Sequence, residues 1–440
     1  MRNIWLQSII ITAFVFITMW GANKLADLKM FTAFDVIGQS LKDFQLTDYA
    51  FSYLREDPLV DQRIVLVNIG ELSRREIAQQ IAVINQFKPK VIAIDVLLNC
   101  EGGLRDSVNC PALLDTLGNL MLSSAIQDAG NVVLAEKLLQ TDSLSRFDSA
   151  IADSTEYADP MFRVNSSGGF VTLPTDATYQ GDVKLCRTIW PKYDVKGKTE
   201  LAFATQIAMQ YDSVKTMKFL RRNKDEEIIN YRGNIEVLQL RIRSEKDTLT
   251  GTTNYATMFY AVDVGQLERG EVLGDVFKNS IVMMGFLGRY LGDPVWEDKF
   301  FTPLNKKVAG RANPDMFGLV VHANAVAMIL NGDYVNELPD WMLISIAIII
   351  CYLTVVLLII LDHKLPTWFD ALSFFVQIVI IYLMMMLIIE VFTINSLKLD
   401  LSIAVAAIAV CGPCYDIFKS FQNEFKKRFT KPRIQGLKNT

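Results

Sequence analysis

The sequence predicts an α/β domain with a mostly parallel central sheet, inserted between membrane helix 1 and a C-terminal bundle of three membrane helices. Four stretches approach or reach the roughly 20 apolar residues that a helix needs to cross a bilayer. They span residues 4–20, 341–361, about 371–393 and about 399–418. Between the first two stretches, short apolar runs alternate with segments of helical periodicity, a pattern that is typical of parallel sheets covered by helices.

The first apolar stretch is predicted to be an uncleaved anchor. Its apolar run exceeds the roughly 7–15 residues of a signal-peptide core, and no small-residue cleavage site follows cleanly. Lys and Arg mark cytoplasmic flanks. Arg2 precedes the anchor, and seven basic residues follow Phe418 against one acid, Glu424. Both termini are therefore predicted to be cytoplasmic, with 1–20 as the anchor, 21–340 as the outer domain, 341–418 as three membrane helices and 419–440 as a basic tail.

The outer domain begins with a predicted βαβ unit. After a helical lead within 21–60, an apolar run at 63–69 predicts a strand buried on both faces. Apolar residues at helical spacing (Ile77, Ile81, Ile84) predict the helix, and 91–97 predicts the second strand. The crossover between these strands should be right-handed.

Further strands and helices are predicted along the rest of the outer domain. A helix at 124–130 leads into a strand at 131–138, and the charged segment 218–234 is predicted to be a solvated surface connection. The other predicted strands lie at 168–174, 236–242, 256–262 and 279–286, and helices at 201–211 and 320–332.

The cysteines, the net charge and the histidine content limit the kinds of site that the sequence can form. Cys100 and Cys110 bracket a short polar loop with two glycines, which predicts a disulfide in an oxidising compartment; two free thiols are the alternative. The formal net charge of −4 gives no indication of nucleic-acid binding. The outer domain holds a single histidine, His322, which excludes a His-rich metal site. Without a G-x-S-x-G elbow either, we expect no enzyme activity, no catalytic residue and no cofactor.

Candidate ligand-binding residues follow predicted strands or begin a helix. Asp95 ends a buried strand, where ligands of open α/β sheets bind, although it could equally cap a helix or pair with a loop. Asp293 follows a glycine-rich strand exit whose spacing favours a structural turn over a nucleotide loop. His322 and Asn324 lie near a helix start, where His322 could bond Asp293 or Thr302 across a cleft, or be a satisfied core histidine.

Five segments, taken in order, resemble the type-two CHASE (CHASE2) extracellular sensory domain of bacterial receptors. They are VLVNIGELSRREIAQQIAVINQFKPKVIAIDVLL, ELAFATQIA, INYRG, SIVMMGFLGRYLGDPVWEDKFFTP and MFGLVVHANAVAMILNGDYV. The resemblance implies a multi-pass protein of the bacterial inner membrane with its large domain in the periplasm. Family members often carry an output module after the last helix, whereas about 22 residues remain here.

Two alternative functions are therefore expected for the protein. The first is a sensor subunit that binds an envelope ligand or protein and signals to a separate partner in the membrane, cytoplasm or periplasm. The second is a structural scaffold of a trans-envelope complex. Membrane lipids are expected partners, because the basic tail can contact anionic headgroups, and an oligomer is compatible with either function.

The sequence CGPC at residues 411–414 matches the motif of thioredoxin-like dithiols. A reactive dithiol needs a helix N-terminus in water, where the thiolate is stabilised. Here apolar helix continues on both sides, so we expect Gly412-Pro413 to bend the last membrane helix.

Overall fold

The structure, a computed structural model, describes residues 2–26, 51, 59–100, 110–140, 152–175, 185–235, 258–305 and 313–430. The predicted strand at 236–242, most of the helical lead within 21–60 and the last ten residues of the tail lie outside these ranges. The chain divides into two compact units. The membrane unit comprises Met1–Ala50 with Asn336–Thr440, and the α/β unit comprises Phe51–Val335.

The α/β unit is built on short strands with helices between them. Its strands are β1 (Ile64–Asn68), β2 (Val91–Ile94), β3 (Val132–Leu139), β4 (Ser154–Glu156), β5 (Ser166–Phe170), β6 (Thr188–Ile189), β7 (Lys192–Val195), β8 (Lys198–Leu201), β9 (Glu227–Ile228), β10 (Tyr260–Val262), β11 (Ile281–Gly285), β12 (Lys299–Phe300) and β13 (Met316–Phe317). Its helices are α2 (Arg74–Gln86), α3 (Thr116–Ala129), α4 (Phe203–Tyr211), α5 (Ser213–Leu220) and α6 (Gly318–Asn331).

The central sheet has the strand order β10-β1-β11-β2-β3-β4, with β5 also paired to β3. Every pairing in it is parallel except that of β4 with β3. In register, Ile281 of β11 pairs with Ile64 on one side and Val91 on the other. All residues of β1, β2 and β11 are buried. Continuous apolar runs thus form the middle of a parallel sheet, as predicted, because both of their faces are covered.

Helices cover the sheet. Helix α2 packs on α3, and Ile77, Ile81 and Ile84 of α2 share one buried cluster with β-strand residues such as Val65 and Ile92. Helix α4 packs on α6, and both also contact the sheet. Helix α2 begins with a capping box in which Ser73 and Glu76 bond each other's backbone N–H groups, which satisfies donors that a helix start leaves open.

The charged segment 218–234 is not a solvated connection throughout, and that prediction is wrong for its second half. Glu227 is 1% exposed, because Arg222 binds its carboxylate with Nε 2.6 Å from Oε1. Tyr231 is fully buried and donates its hydroxyl to the carbonyl of Cys186 at 2.8 Å. The mixture of basic and acidic residues in this segment favoured a surface prediction, although the segment contains a buried carboxylate in an ion pair and a core aromatic residue.

The membrane unit consists of long apolar helices and one small strand pair. Its elements are α1 (Arg2–Ala26), β14 (Asn336–Glu337), α7 (Asp340–Lys364), α8 (Phe369–Asn395), β15 (Leu397–Lys398) and α9 (Ser402–Thr430). Four helical stretches are long and apolar enough to cross a membrane, namely Ile4–Ala22, Asp340–Lys364, Pro366–Asn395 and Ser402–Glu424. They correspond to the four stretches predicted from hydropathy.

Helices α1, α7 and α9 share the core of the membrane unit, where Ile11, Val15, Val355 and Ala407 are buried together. At one end of this core, Lys419 of α9 binds Asp362 of α7 with Nζ 2.6 Å from Oδ1.

Helix α9 continues through Pro413. The side-chain amide of Gln377 on α8 contacts α9 next to this proline. In the amide orientation that gives both its nitrogen and its oxygen a partner, the nitrogen donates to the carbonyl of Ile408 at 3.3 Å, and the oxygen accepts from the N–H of Gly412 at 3.2 Å. A side-chain amide thus bridges the backbone of α9 just before the proline. A bend at this point stays a prediction.

Candidate functional site

The candidate site lies where the parallel strands β11 and β2 end. Asp95 follows β2 directly, and its N–H donates to the carbonyl of Met284 on β11 at 2.8 Å. Gly285 ends β11 beside it. A Cβ at Gly285 would lie 3.1 Å from the Cβ of Asp95 and 3.1 Å from Leu319. Because Gly285 has no side chain, Asp95 fits beside the backbone of β11.

Asp95 has an unusual protonation state. Burial raises the pKa of its carboxyl from 3.8 to about 8, and the nearby negative charge of Asp298 contributes to the rise. Loss of water around a carboxyl group penalises its ionised form. At neutral pH, Asp95 therefore carries a proton and can donate a hydrogen bond.

Asp298 lies between the strand ends and the start of α6. Its backbone has a positive φ of 55°, and its carbonyl accepts from the N–H of Gly318 at 2.9 Å. A Cβ at Gly318 would lie 3.2 Å from both carboxylate oxygens of Asp298. The carboxylate is thus close to the first turn of α6, where the helix dipole favours a negative charge.

Asn68, at the end of β1, connects the loops that follow three neighbouring strands. It is fully buried, and its Nδ2 donates to Asp263 Oδ1 at 3.0 Å and to the carbonyl of Gly288 at 2.9 Å. Its Oδ1 accepts from the N–H groups of Gly70 and Leu287, each at 3.0 Å. One side chain therefore holds the loops after β1, β10 and β11 in fixed positions at the carboxyl ends of these strands.

Asp293 closes the glycine-rich loop after β11. It is buried, and its Oδ2 accepts from Nε of Arg289 at 2.8 Å and from the N–H of Arg289 at 3.1 Å. The hydrogen bond from the Arg289 guanidinium lowers the pKa of Asp293. Gly288 has a φ of +93°, which favours glycine at this turn. The loop is a structural turn, in agreement with the favoured interpretation of its spacing.

The sequence profile of the CHASE2 domain matches residues 13–361, most of the chain. The chain belongs to the CHASE2 family. This is a family of extracellular sensory domains, so membership supports a sensor role and a multi-pass membrane protein. No curated protein and no solved structure matches the chain.

Two of the residues predicted for the site of this CHASE2 domain, Thr302 and Asn324, have structural partners elsewhere. Thr302 donates from N and Oγ1 to the carboxylate of Asp315, at 2.9 and 2.6 Å. Asn324 accepts from the N–H groups of Arg232 and Gly233, and donates to the carbonyls of Gly233 and Val320. Asn324 thus holds the INYRG segment against α6.

His322 hydrogen-bonds neither Asp293 nor Thr302, so the less favoured of the two interpretations of this residue is wrong. It is 3% exposed, packs edge-on against Phe203 of α4 at 5.4 Å between ring centroids, and hydrogen-bonds the backbone of Val171. Burial lowers its pKa to about 4, so the ring is neutral. His322 is a core histidine, as the favoured interpretation predicted, and its Nδ1 has no partner among the described residues.

The site of this CHASE2 domain therefore comprises Asp95, Asp298 and the loop that Asn68 and Asp293 hold. Asn68 and Asp298 were missed. A polar residue directly after four apolar ones in RIVLVNIG was a usable signal for Asn68, whereas nothing local marks Asp298. Throughout the described ranges, no group of three or more His, Cys, Asp or Glu side chains could hold a metal ion. Cys100 and Cys110 form a disulfide beyond β2, with Cα atoms 5.3 Å apart.

Proposed function

We propose that this CHASE2 protein is a sensor subunit of the bacterial inner membrane, with its α/β unit in the periplasm and both termini in the cytoplasm. In this proposal the α/β unit binds an envelope ligand or protein where β1, β11 and β2 end. The membrane unit passes the bound state to a separate partner protein. The observation that carries the proposal is the position of Asp95, which lies at the carboxyl end of β2 against Gly285 of β11 and close to a second carboxyl group, Asp298.

The position of Asp95 supports ligand binding. In open α/β sheets, ligands bind outside the carboxyl ends of parallel strands. Strongly shifted carboxyl groups cluster at functional sites, because keeping such a group in the folded state costs stability. A structural role alone would be served by an asparagine, which donates the same kind of hydrogen bond without that cost.

The surroundings of Asp95 support a prearranged site. Asn68 makes four hydrogen bonds to the loops that follow β1, β10 and β11. Gly285 brings the backbone of β11 next to the carboxyl group. Because these groups are held before any ligand arrives, binding would order little additional chain and lose little entropy.

The test is recovery of bound molecules from native membranes. The full chain and its Asp95→Ala and Asp298→Asn variants are purified in mild detergent, and small molecules and proteins that co-purify are identified by mass spectrometry. We expect a species that accompanies the wild type and is depleted at least tenfold with both variants. Asp128→Asn is the matched control, because Asp128 is an exposed carboxylate near the end of α3, two residues before the capping Gly130 and close to the start of β3.

Different outcomes separate the two functions. A protein that stays bound in stoichiometric amount to the wild type and to all three variants would favour the scaffold, since its docking would not involve the strand ends. Recovery of the same species from the Asp95 and Asp298 variants as from the wild type would contradict the proposed site.

A further inference from the structure

Three free thiols meet in the core of the membrane unit. Cys351 lies on α7, and Cys411 and Cys414 lie on α9. Cys351 and Cys411 have no exposed surface, and Cys414 is 1% exposed. The Sγ atoms of Cys351 and Cys411 are 3.5 Å apart, although 60 residues separate them in the chain. Two helices thus present their thiols directly to each other.

The two sulfur atoms are in van der Waals contact. A disulfide has an S–S bond of about 2.05 Å, so a total approach of about 1.5 Å would close it. Rotation of the two Cβ–Sγ groups supplies part of this approach, and a small shift of α9 supplies the remainder. Packing of α7 against α9 already places the side chains in opposition.

The backbone of α9 is adapted to such a shift next to Cys411. Pro413 has no N–H, so the carbonyl of Ala409 loses its intrahelical donor. Gly412 carries no side chain, and Gln377 of α8 bridges the carbonyl of Ile408 and the N–H of Gly412. A segment whose hydrogen bonds are shared with a side chain can move by a fraction of an ångström without breaking a continuous ladder.

We propose that Cys351 and Cys411 form a reversible disulfide that joins α7 to α9 when a small uncharged peroxide enters the membrane unit. Because neither sulfur atom is exposed, the oxidant has to be small and neutral, and hydrogen peroxide meets both requirements. A bulky quinone would have to separate the helices before it could reach either thiol.

The reaction is balanced with one molecule of hydrogen peroxide. The sulfur of one thiol attacks a peroxide oxygen, the O–O bond breaks, and the departing hydroxide takes the thiol proton, so that a sulfenic acid and water form. The second thiol then attacks the sulfenic sulfur, the S–S bond forms, and a second water leaves with the remaining proton. Two electrons pass from the two thiols to the peroxide. The product links α7 covalently to α9, whereas the reduced thiols leave the two helices joined only by non-covalent contacts, which include the Lys419–Asp362 ion pair.

The experiment uses the full chain in lipid nanodiscs, treated with hydrogen peroxide, quenched with catalase, unfolded in SDS and labelled with a maleimide–polyethylene glycol that adds one mass step per free thiol. The structure has four free cysteines, Cys186, Cys351, Cys411 and Cys414. We expect four additions before peroxide and two afterwards. Digestion without reductant should yield a peptide pair linking residues 351 and 411, which tests the wild type independently of any variant.

Single variants identify the pair. Cys351→Ser and Cys411→Ser should each give three additions with or without peroxide, whereas Cys414→Ser should fall from three additions to one. Alanine versions of each variant guard against a folding defect caused by a buried hydroxyl group. If the wild type keeps four additions, or if Cys351→Ser still loses two thiols and so pairs Cys411 with Cys414, the proposal is wrong.

Discussion

Replacing Asp95 with asparagine is expected to stabilise the α/β unit at neutral pH. In the unfolded chain an aspartate with a pKa of 3.8 is ionised at pH 7, but burial raises the pKa of Asp95 to about 8 in the folded protein. The folded state must therefore hold a proton that the unfolded state has released. This opposes folding at pH 7, and asparagine removes the opposition because it has no proton to exchange.

The magnitude follows from the two pKa values. Each pKa unit corresponds to about 1.4 kcal/mol. Between pH 3.8 and pH 7 the folded carboxyl group stays protonated, so the wild type loses on the order of 4 kcal/mol of unfolding free energy over this window. Below the unfolded pKa both states are protonated, and above about pH 8 both are ionised, so the slope vanishes at either end. Asp95→Asn should therefore gain over the wild type as pH rises from 4 to 8.

Thermal unfolding of the full chain in nanodiscs, followed by tryptophan fluorescence and circular dichroism from pH 4.5 to 8.5, measures this difference. Asp128→Asn controls for the loss of one carboxylate at an exposed position. An Asp95→Asn variant that is less stable than the wild type at pH 7 would refute the reasoning, because it would mean that the folded protein uses an ionised, paired Asp95. A difference that does not depend on pH would refute it equally.

Three further variants test the packing of the α/β unit by the same unfolding assay. Asn324→Ala should cost about 3–5 kcal/mol, because it leaves two buried N–H groups and two carbonyls without their side-chain partner. Gly169→Ala should cost about 1–3 kcal/mol, since its Cβ would lie 2.8 Å from the backbone Cα of Phe203. Replacing both Cys100 and Cys110 with serine should cost roughly 3 kcal/mol, the closure entropy of a loop with a sequence separation of 10.

A specific result would contradict each of these three expectations. Gly21→Ala adds the same methyl group at a position with no heavy atom within 4 Å, so an equal loss in that variant would assign the effect of Gly169→Ala to something other than the clash. A cost below 1 kcal/mol for Asn324→Ala would mean that water or a backbone shift replaces its hydrogen bonds. An unchanged melting temperature for the double serine variant would show that the disulfide does not restrain the unfolded chain.

Strands in the middle of the sheet were predictable because their environment is uniform. Five consecutive buried residues in β1 and in β11 give short, mainly apolar runs without helical spacing, and glycines follow each run closely. Strand β5 was placed slightly late, at 168–174 instead of Ser166–Phe170, because its polar and glycine residues carry little strand signal. The burial of Glu227 was not predictable, since the ion pair that permits it forms only in the folded chain.

Asp95 and Asp293 of the candidate site were predicted from the sequence, whereas Asn68 and Asp298 were not. Asp95 follows from a general rule about strand ends. The partners of His322 and the apposition of Cys351 with Cys411 depend on how each helix is rotated about its axis, which helical periodicity does not determine in segments that are apolar on all sides. Asp298 adopts a positive φ outside any regular element, so no periodic pattern could mark it.

The place of β11 between β1 and β2 determines when the protein can complete its sheet. Although β1 and β2 are joined by one helix, they do not pair with each other. Each pairs with β11, which is synthesised about 190 residues after β2. Until then, two strands that are apolar except for Asn68 have unpaired inner edges on a chain that already carries its first apolar helix. Contacts so distant in sequence slow folding and expose strand edges to aggregation. We therefore expect nascent chains that end before β11 to be held by chaperones or degraded, and those that extend beyond it to escape both.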